Sequence, residues 1–301
     1  MKTTHPIFSA ISKKRGALGP TQLIAIILIL TAIGIGAWYY QQSKATTPPK
    51  LPIKGAIFPA DAALNAATRS TNNIVFGGPP VTASSTRLIM LKNIAYYCGY
   101  SDDRRNPLWV AYRLDATHSG EKLKRPKGFK MDIRTLSRIE PDVYSKSGYD
   151  RGHMAPNSAI ATRYGRDAQL ETFLMSNIVP QSPELNRKVW QRLEKLEDEY
   201  ASRYDTIWVI TGPVFDEHIQ QIDKHVEIPD AFYKIIFDEE KGNLRPPMAF
   251  LIHQTVTGKE YLDHFLTSID EIEKLTGLDF IAPLNDEVEN RLEAITPNRL
   301  W

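Results

Sequence analysis

The 301-residue sequence predicts an α+β fold: a mainly antiparallel central sheet flanked by helices and preceded by one N-terminal transmembrane helix. Three observations lead there. Strand-like and helical stretches mix without the regular alternation that builds parallel βαβ units. Short runs rich in β-branched and aromatic residues recur, and two of them flank a polar turn as in a hairpin. A long uncharged apolar run occurs near the start.

The elements follow in chain order. Residues 1–16 form a basic leader, with Lys13, Lys14 and Arg15 directly before the apolar run. No charge occurs from residue 16 to residue 43, and residues 23–40 read LIAIILILTAIGIGAWYY. At ~1.5 Å per residue such a run crosses a ~30 Å hydrocarbon core, so residues 17–40 are expected to be a transmembrane helix or signal anchor. The basic cluster keeps the N-terminus in the cytoplasm and sends the body outside, with Trp38, Tyr39 and Tyr40 at the far interface. A cleaved signal peptide is the alternative, although no clear A-x-A site follows. Clustered lysines rather than spread arginines speak against a mitochondrial leader.

Residues 41–73 read as a linker: QQSKATTPPKLP is an extended tether, and residues 60–73 form a weak helix or stay loose. FGGPP at 76–80 marks the change to strand-like sequence. Residues 88–100 and 107–114 read as a hairpin around SDDRRN, and further strands are expected at 204–211, 231–237 and 247–254. Helical patterns fall at 166–176, 183–203 and 268–276. The folded body is expected to span 74–301.

Composition narrows the chemistry. At 42% hydrophobic and 24% charged the chain is not disordered. One cysteine, Cys98, excludes an internal disulfide framework and a Cys-rich zinc site. There are 37 basic and 35 acidic residues, yet no Asp or Glu precedes Asp61 while seven basic residues do. Taking those seven away leaves 30 basic against 35 acidic, a net of about −5. The body is therefore not a broadly basic nucleic-acid binder, and any grip on a polyanion needs a local patch. H-E-x-x-H, P-loop, G-x-S-x-G and paired C-x-x-C motifs are absent.

Two stretches hold reactive groups. YDRGHMAPN at 149–157 sets an acid, a base, a glycine and a histidine side by side. His153 suits proton transfer near neutral pH, Gly152 lets a substrate approach the backbone, Arg151 offers a forked donor for phosphate, and Asp150 can orient a neighbour. Alone, the four letters are weak evidence, and a surface turn with an ion pair is the default reading. SPELNRKVWQRLEKLEDEYASR at 182–203 offers Ser182 as N-cap and Pro183 at the first helical position. Leu185, Val189, Leu193, Leu196 and Tyr200 make one apolar stripe, while Asn186, Trp190 and Glu194 run along its shoulder. An amide and a carboxylate thus project from one edge, ~12 Å apart along the axis.

YDRGHMAPN, FLMSNIVPQ, LNRKVWQRLE and VITGPVF, in that order, resemble the DNA/RNA non-specific endonucleases of the ββα-metal class, the group that includes endonuclease G. The likeness runs from about residue 74 to residue 282. It implies a ββα-metal (His-Me finger) nuclease fold for the body, which hydrolyses phosphodiester bonds of DNA and RNA. The resemblance implies His153 as general base, Asn186 as the direct protein ligand of a divalent metal, and Glu194 as holder of the metal's waters. The metal is expected to be magnesium, with manganese as a substitute, and no small-molecule cofactor is expected. Arg151 would support the phosphate and Asn177 would fix the site geometry. An upstream arginine stabilises the transition state in the family; Arg125 is the candidate here, with Lys124, Lys127 and Arg134 left open. Contacts to phosphates rather than base edges imply little sequence preference. Arg104, Arg105, Lys122, Lys124, Arg125, Lys127 and Lys130 are the candidate contacts. Homodimers occur among such relatives. The expected address is a membrane anchor with the catalytic body in the periplasm or outside the cell; secretion after cleavage and the mitochondrial intermembrane space are the alternatives. A catalytically silent module that binds nucleic acid is the competing function.

Overall fold

Alternate residues of one strand, AFYKIIFDEE, point into two different cores, and this fixes the layout of the molecule. The structure is a computed structural model, and it describes residues 58–59, 74–82, 87–116, 123–223, 225–240 and 243–301. β1 (Ile89–Lys92), β2 (Tyr96–Ser101) and β3 (Asn106–Asp115) form a meander. A short antiparallel pair follows, β4 (Asp150–His153) with β5 (Ile178–Gln181), and α1 (Asn157–Glu171) lies between them in sequence. A π-helical turn, Leu185–Trp190, runs into α2 (Gln191–Tyr204). β6 (Thr206–Val214), β7 (Ala231–Glu240) and β8 (Met248–His253) follow, then α3 (Ile269–Thr276) and α4 (Asp286–Glu293).

The central sheet runs β1-β2-β3-β6-β7-β8 with every neighbour antiparallel, as the lack of βαβ alternation predicts. Side chains on a strand alternate between faces. On β7, Phe232 and Ile236 join the core packed by Leu185, Val189, Trp190, Leu193 and Tyr200, so the Leu185–Tyr204 segment covers that face. Tyr233, Ile235 and Phe237 join a second core with Ile269, Ile272, Phe280 and Leu292, so α3 and α4 cover the other. A smaller cluster of Ile139, Tyr144, Met175, Ile178, Ile222 and Val226 backs the β4–β5 pair.

Several boundaries differ from expectation. The stretch 88–100 is two strands rather than one, because the chain turns at Asn93, whose N–H donates to the Tyr96 carbonyl at 2.9 Å. The helix expected at 166–176 starts at Asn157 and stops at Glu171, and Met175–Asn177 is a separate 3-10 turn. Its early turns are held by buried Ala159, Ile160 and Ala161, and Gly165 (φ 82°) interrupts it, so packing rather than intrinsic preference sets its bounds. α3, expected at 268–276, begins after Ser268, whose side chain accepts from the Glu271 N–H, and ends at Gly277 in the left-handed region. Within the expected linker, Phe58–Pro59 pairs with Asn243–Leu244, which in turn extends the sheet from β7. Residues 1–16, the apolar run at 17–40 and residues 60–73 lie outside the described residues. Among the described residues no helix is long and apolar enough to cross a membrane.

Candidate active site

β4 carries the DRGH residues, and its pairing with β5 sets them in register: Gly152 opposite Val179 and His153 opposite Ile178. A Cβ on Gly152 would collide with the Gln181 side chain, so the glycine serves close strand packing rather than approach of a substrate. Beyond β4, Asn177 ties the chain down. Its Oδ1 accepts from the Ala155 N–H at 2.8 Å, and its Nδ2 donates to the carbonyls of Ala155 (3.1 Å) and Thr172 (3.0 Å). Fully buried, this amide fixes the segment that follows His153.

The His153 imidazole lies between two aromatic rings, 5.4 Å from Phe129 and 5.0 Å from Phe173 between centroids. It is 8% exposed, and its Nε2 is buried with no hydrogen-bond partner among the described residues. A buried nitrogen without a partner costs free energy, and a group that will use it is a sufficient reason to keep it. Burial, and secondarily the charge of Arg125, pull its pKa down to about 3, so the ring is neutral and able to accept a proton. The Arg125 guanidinium lies over the face of Phe173, 5.0 Å from its centroid.

The Leu185–Tyr204 segment supplies the other face. The Ser182 hydroxyl accepts from the Leu185 N–H at 3.4 Å, in keeping with its reading as N-cap. Asp150 joins this segment to β4: its Oδ2 accepts from Asn186 Nδ2 at 3.0 Å and from Arg187 Nε at 2.7 Å, and its Oδ1 from Arg187 at 2.6 Å. Burial raises the Asp150 carboxyl, but the hydrogen bonds from Arg187 and Asn186 outweigh it and hold the pKa below the usual range. The carboxamide of Asn186 is thereby fixed through its nitrogen, which leaves its oxygen free of that bond. Glu194, half-buried on α2, makes no side-chain hydrogen bond among the described residues. Burial pushes its pKa up to about 7; Lys234 pulls it down, Glu197 pushes it up and Arg125 pulls it down.

Arg125 therefore acts electrostatically on both His153 and Glu194, and Asp150 bonds Asn186 to the strand that bears His153. Of the alternatives to Arg125, Arg134 is bound to Asp132 (2.7 Å) and Asn93 (2.9 Å), away from these groups. Arg151 does not join them through its guanidinium, which donates to the Pro141 carbonyl from Nε (2.9 Å) and from a terminal nitrogen and lies near the Phe129 and Tyr144 rings. Its geometry is a structural tie to the Pro141–Tyr144 turn. Trp190, expected on the shoulder with Asn186 and Glu194, is instead 1% exposed and packs on Phe232. Arg104 is paired with Glu227 at 2.5 Å and Arg105 is bonded to His225 at 2.6 Å, so neither charge is idle. Lys124, Lys127 and Lys130 are exposed on the segment that carries Arg125, and Lys122 lies outside the described residues.

Sequence reasoning missed a buried network beneath Glu194. Lys234 on β7 is fully buried, forms an ion pair with Glu197 of α2, donates to the Tyr112 hydroxyl at 3.1 Å and lies 4.4 Å from the Trp190 ring centroid. The signal was a lysine inside an apolar strand run and a glutamate four residues past Leu193 on the apolar stripe. A donor set of one free amide oxygen and one unbonded carboxylate suits a hard divalent cation, which prefers oxygen ligands and keeps several waters.

A histidine kept neutral beside an arginine, with an amide and a carboxylate on a neighbouring helix, is compatible with a hydrolase. Residues 80–287 match the DNA/RNA non-specific endonuclease family, and the chain belongs to it. It is a nuclease that takes nucleic acid as substrate. It is 30% identical to a nuclease of Nostoc sp. over 234 residues, which is 74% of this chain and 83% of that protein. It is 28% identical to the mitochondrial endonuclease G of Bos taurus over 292 residues, 86% of this chain and 93% of the relative. A solved structure of the EndoG/EndoGI complex, described as showing the mechanism of EndoG inhibition, superposes with a TM-score of 0.61 at 25% identity, covering 70% of this chain and 91% of the other.

Proposed function

We propose that the body is a metal-dependent, sequence-non-specific endonuclease of the ββα-metal class that cuts both DNA and RNA. The observation that carries this is the buried, unpartnered Nε2 of a neutral His153, beside Arg125. His153 takes the proton of the attacking water. Asn186 would hold a divalent cation through its amide oxygen and Glu194 would hold that cation's waters; the bound ion, magnesium by preference, supplies charge stabilisation at the phosphate and the leaving oxygen. Arg125 balances the charge that builds on the phosphate, and the incoming anion offsets its field on His153, the smaller of the two influences that depress the ring's basicity. Asn177 and Arg151 keep the His153 strand in place. Phe129 and Phe173 exclude bulk water from the imidazole.

Residues 17–40 are proposed to anchor this body outside the cytoplasm; the relatives named as mitochondrial support a mitochondrial second address. The test is cleavage of supercoiled plasmid and of RNA by the purified protein with magnesium, with chelator, and with His153→Ala. Cleavage that needs magnesium and falls roughly 10²–10⁴-fold in the variant is the expected result. Binding without cleavage at any metal concentration identifies a silent module instead, and near-normal turnover of His153→Ala removes the assigned base.

A further inference from the structure

α1 is broken at one residue. Gly165 stands at φ 82° inside it, in the left-handed region that glycine adopts without strain, and the helix kinks there before Arg166. On a straight helix Asn157 and Gln169 would stand ~18 Å apart along the axis. Across this break the Gln169 Nε2 donates to the Asn157 Oδ1 at 3.0 Å. Gln169 is only 1% exposed, and its own side-chain oxygen accepts from Arg166 at 2.6 Å. The same terminal nitrogen of Arg166 donates to the Lys124 carbonyl, also at 2.6 Å, from 42 residues away in sequence. Asn157, Gln169 and Arg166 thus form a chain of hydrogen bonds that ends on the peptide joining Lys124 to Arg125. Further along this segment the Lys130 N–H donates to the Phe173 carbonyl at 2.9 Å, and the Lys130 carbonyl accepts from the Met175 N–H at 2.8 Å. Arg125 therefore lies on a strip of chain tied down on both sides, and Arg166 makes the tie one peptide away from it.

We propose that Arg166 is a positioning residue for the nuclease reaction: its hold on the Lys124 carbonyl sets where Arg125 stands. The inference rests on the transition-state role given to Arg125 above. Both oxygens that Arg166 engages are neutral, so its part here is geometric rather than the cancelling of a charge. A cationic donor makes a stronger hydrogen bond than a neutral one, and the buried Gln169 fixes the direction from which it comes. Arg125 must meet a charge that develops only in the transition state, and a displacement of ~1 Å at such a group costs ~10²-fold in rate. Arg166 would thus act on the turnover step without touching the substrate.

The test is a double-variant cycle on the full chain, with kcat and KM measured on duplex DNA with magnesium. Arg166 is exposed, so Arg166→Ala should fold with a Tm near that of the wild type. Its kcat should fall roughly 10–10²-fold with KM little changed. Arg166→Lys should recover part of the loss, since one ammonium can donate to both oxygens. Arg125→Ala should be slow, and adding Arg166→Ala to it should slow it no further. A second readout needs no activity: in trypsin digestion without magnesium, cuts after Lys124 and Lys127 should appear several-fold faster in Arg166→Ala than in the wild type. Near-normal kcat in Arg125→Ala removes the role of Arg125 and this proposal with it. A slow Arg125→Ala beside a normal Arg166→Ala, losses that multiply in the double variant, or equal digestion rates overturn this proposal alone. So does a raised KM at unchanged kcat, which would make Arg166 itself a phosphate contact.

Discussion

At the scale of single residues, titration of Glu194 decides the pH behaviour. Its carboxyl is raised to about 7, by burial first, whereas His153 is lowered to about 3. In the neutral range the imidazole is therefore already in its basic form, and the group that changes charge is Glu194. In its proposed role Glu194 acts as the carboxylate, so activity should climb as pH rises through about 7 at limiting magnesium. Added magnesium competes with the proton and should move that acid limb to lower pH; a limb that stays fixed from low to high magnesium contradicts the role. The stability sign runs the other way. A raised carboxyl pKa favours the protonated fold, so this contribution is present at acid pH and is lost as pH rises through about 7. Glu194→Gln without metal should thus unfold at higher temperature than wild type at pH 8, while losing activity. His153 could be picked out from YDRGHMAPN and Asn186 and Glu194 from LNRKVWQRLE, because each motif fixes its own residues' local spacing. The reason for Gly152 could not, since Gln181 reaches it only through strand register.

At the scale of elements, the Leu185–Tyr204 segment rests on a charged foundation. Its apolar stripe was readable from spacing, and Leu185, Val189, Leu193 and Tyr200 are all fully buried. The Lys234–Glu197 pair beneath it was not readable, because sequence periodicity records which face a residue occupies and not which charge from another element meets it there. Both side chains are fully buried. Removing one leaves the other without compensation, so Lys234→Met is expected to cost ~3–5 kcal/mol in urea unfolding. Adding Glu197→Leu to it should recover most of that loss, since replacing a whole buried pair by apolar groups is often neutral. Lys234 also lowers the pKa of Glu194 and Glu197 raises it, so Lys234→Met should shift the acid limb of cleavage upward in pH and the added Glu197→Leu should reverse part of that shift. A loss in the double variant equal to the sum of the losses of Lys234→Met and Glu197→Leu measured singly would show that the pair is not coupled.

At the scale of the whole molecule, an acidic body must hold a polyanion. The chain beyond residue 60 carries a net of about −5, so long-range steering toward nucleic acid is weak and binding depends on the local segment around Arg125. Arg104 and Arg105 are engaged elsewhere, which leaves Lys124, Arg125, Lys127 and Lys130 as the described cations of that patch. Each phosphate neutralised on duplex DNA contributes ~−0.9 to the slope of log K against log salt. Four such contacts give a slope of about −3.6, moderate for a nuclease that must leave its product. Measured with chelator present, so that DNA binds without being cut, Lys124→Ala, Lys127→Ala and Lys130→Ala should each reduce that slope by ~1 and weaken binding equally for unrelated sequences. A slope unchanged across the three would move the phosphate path to another face. A loss confined to one sequence would mean base readout, which the lack of a groove-reading element on this segment argues against.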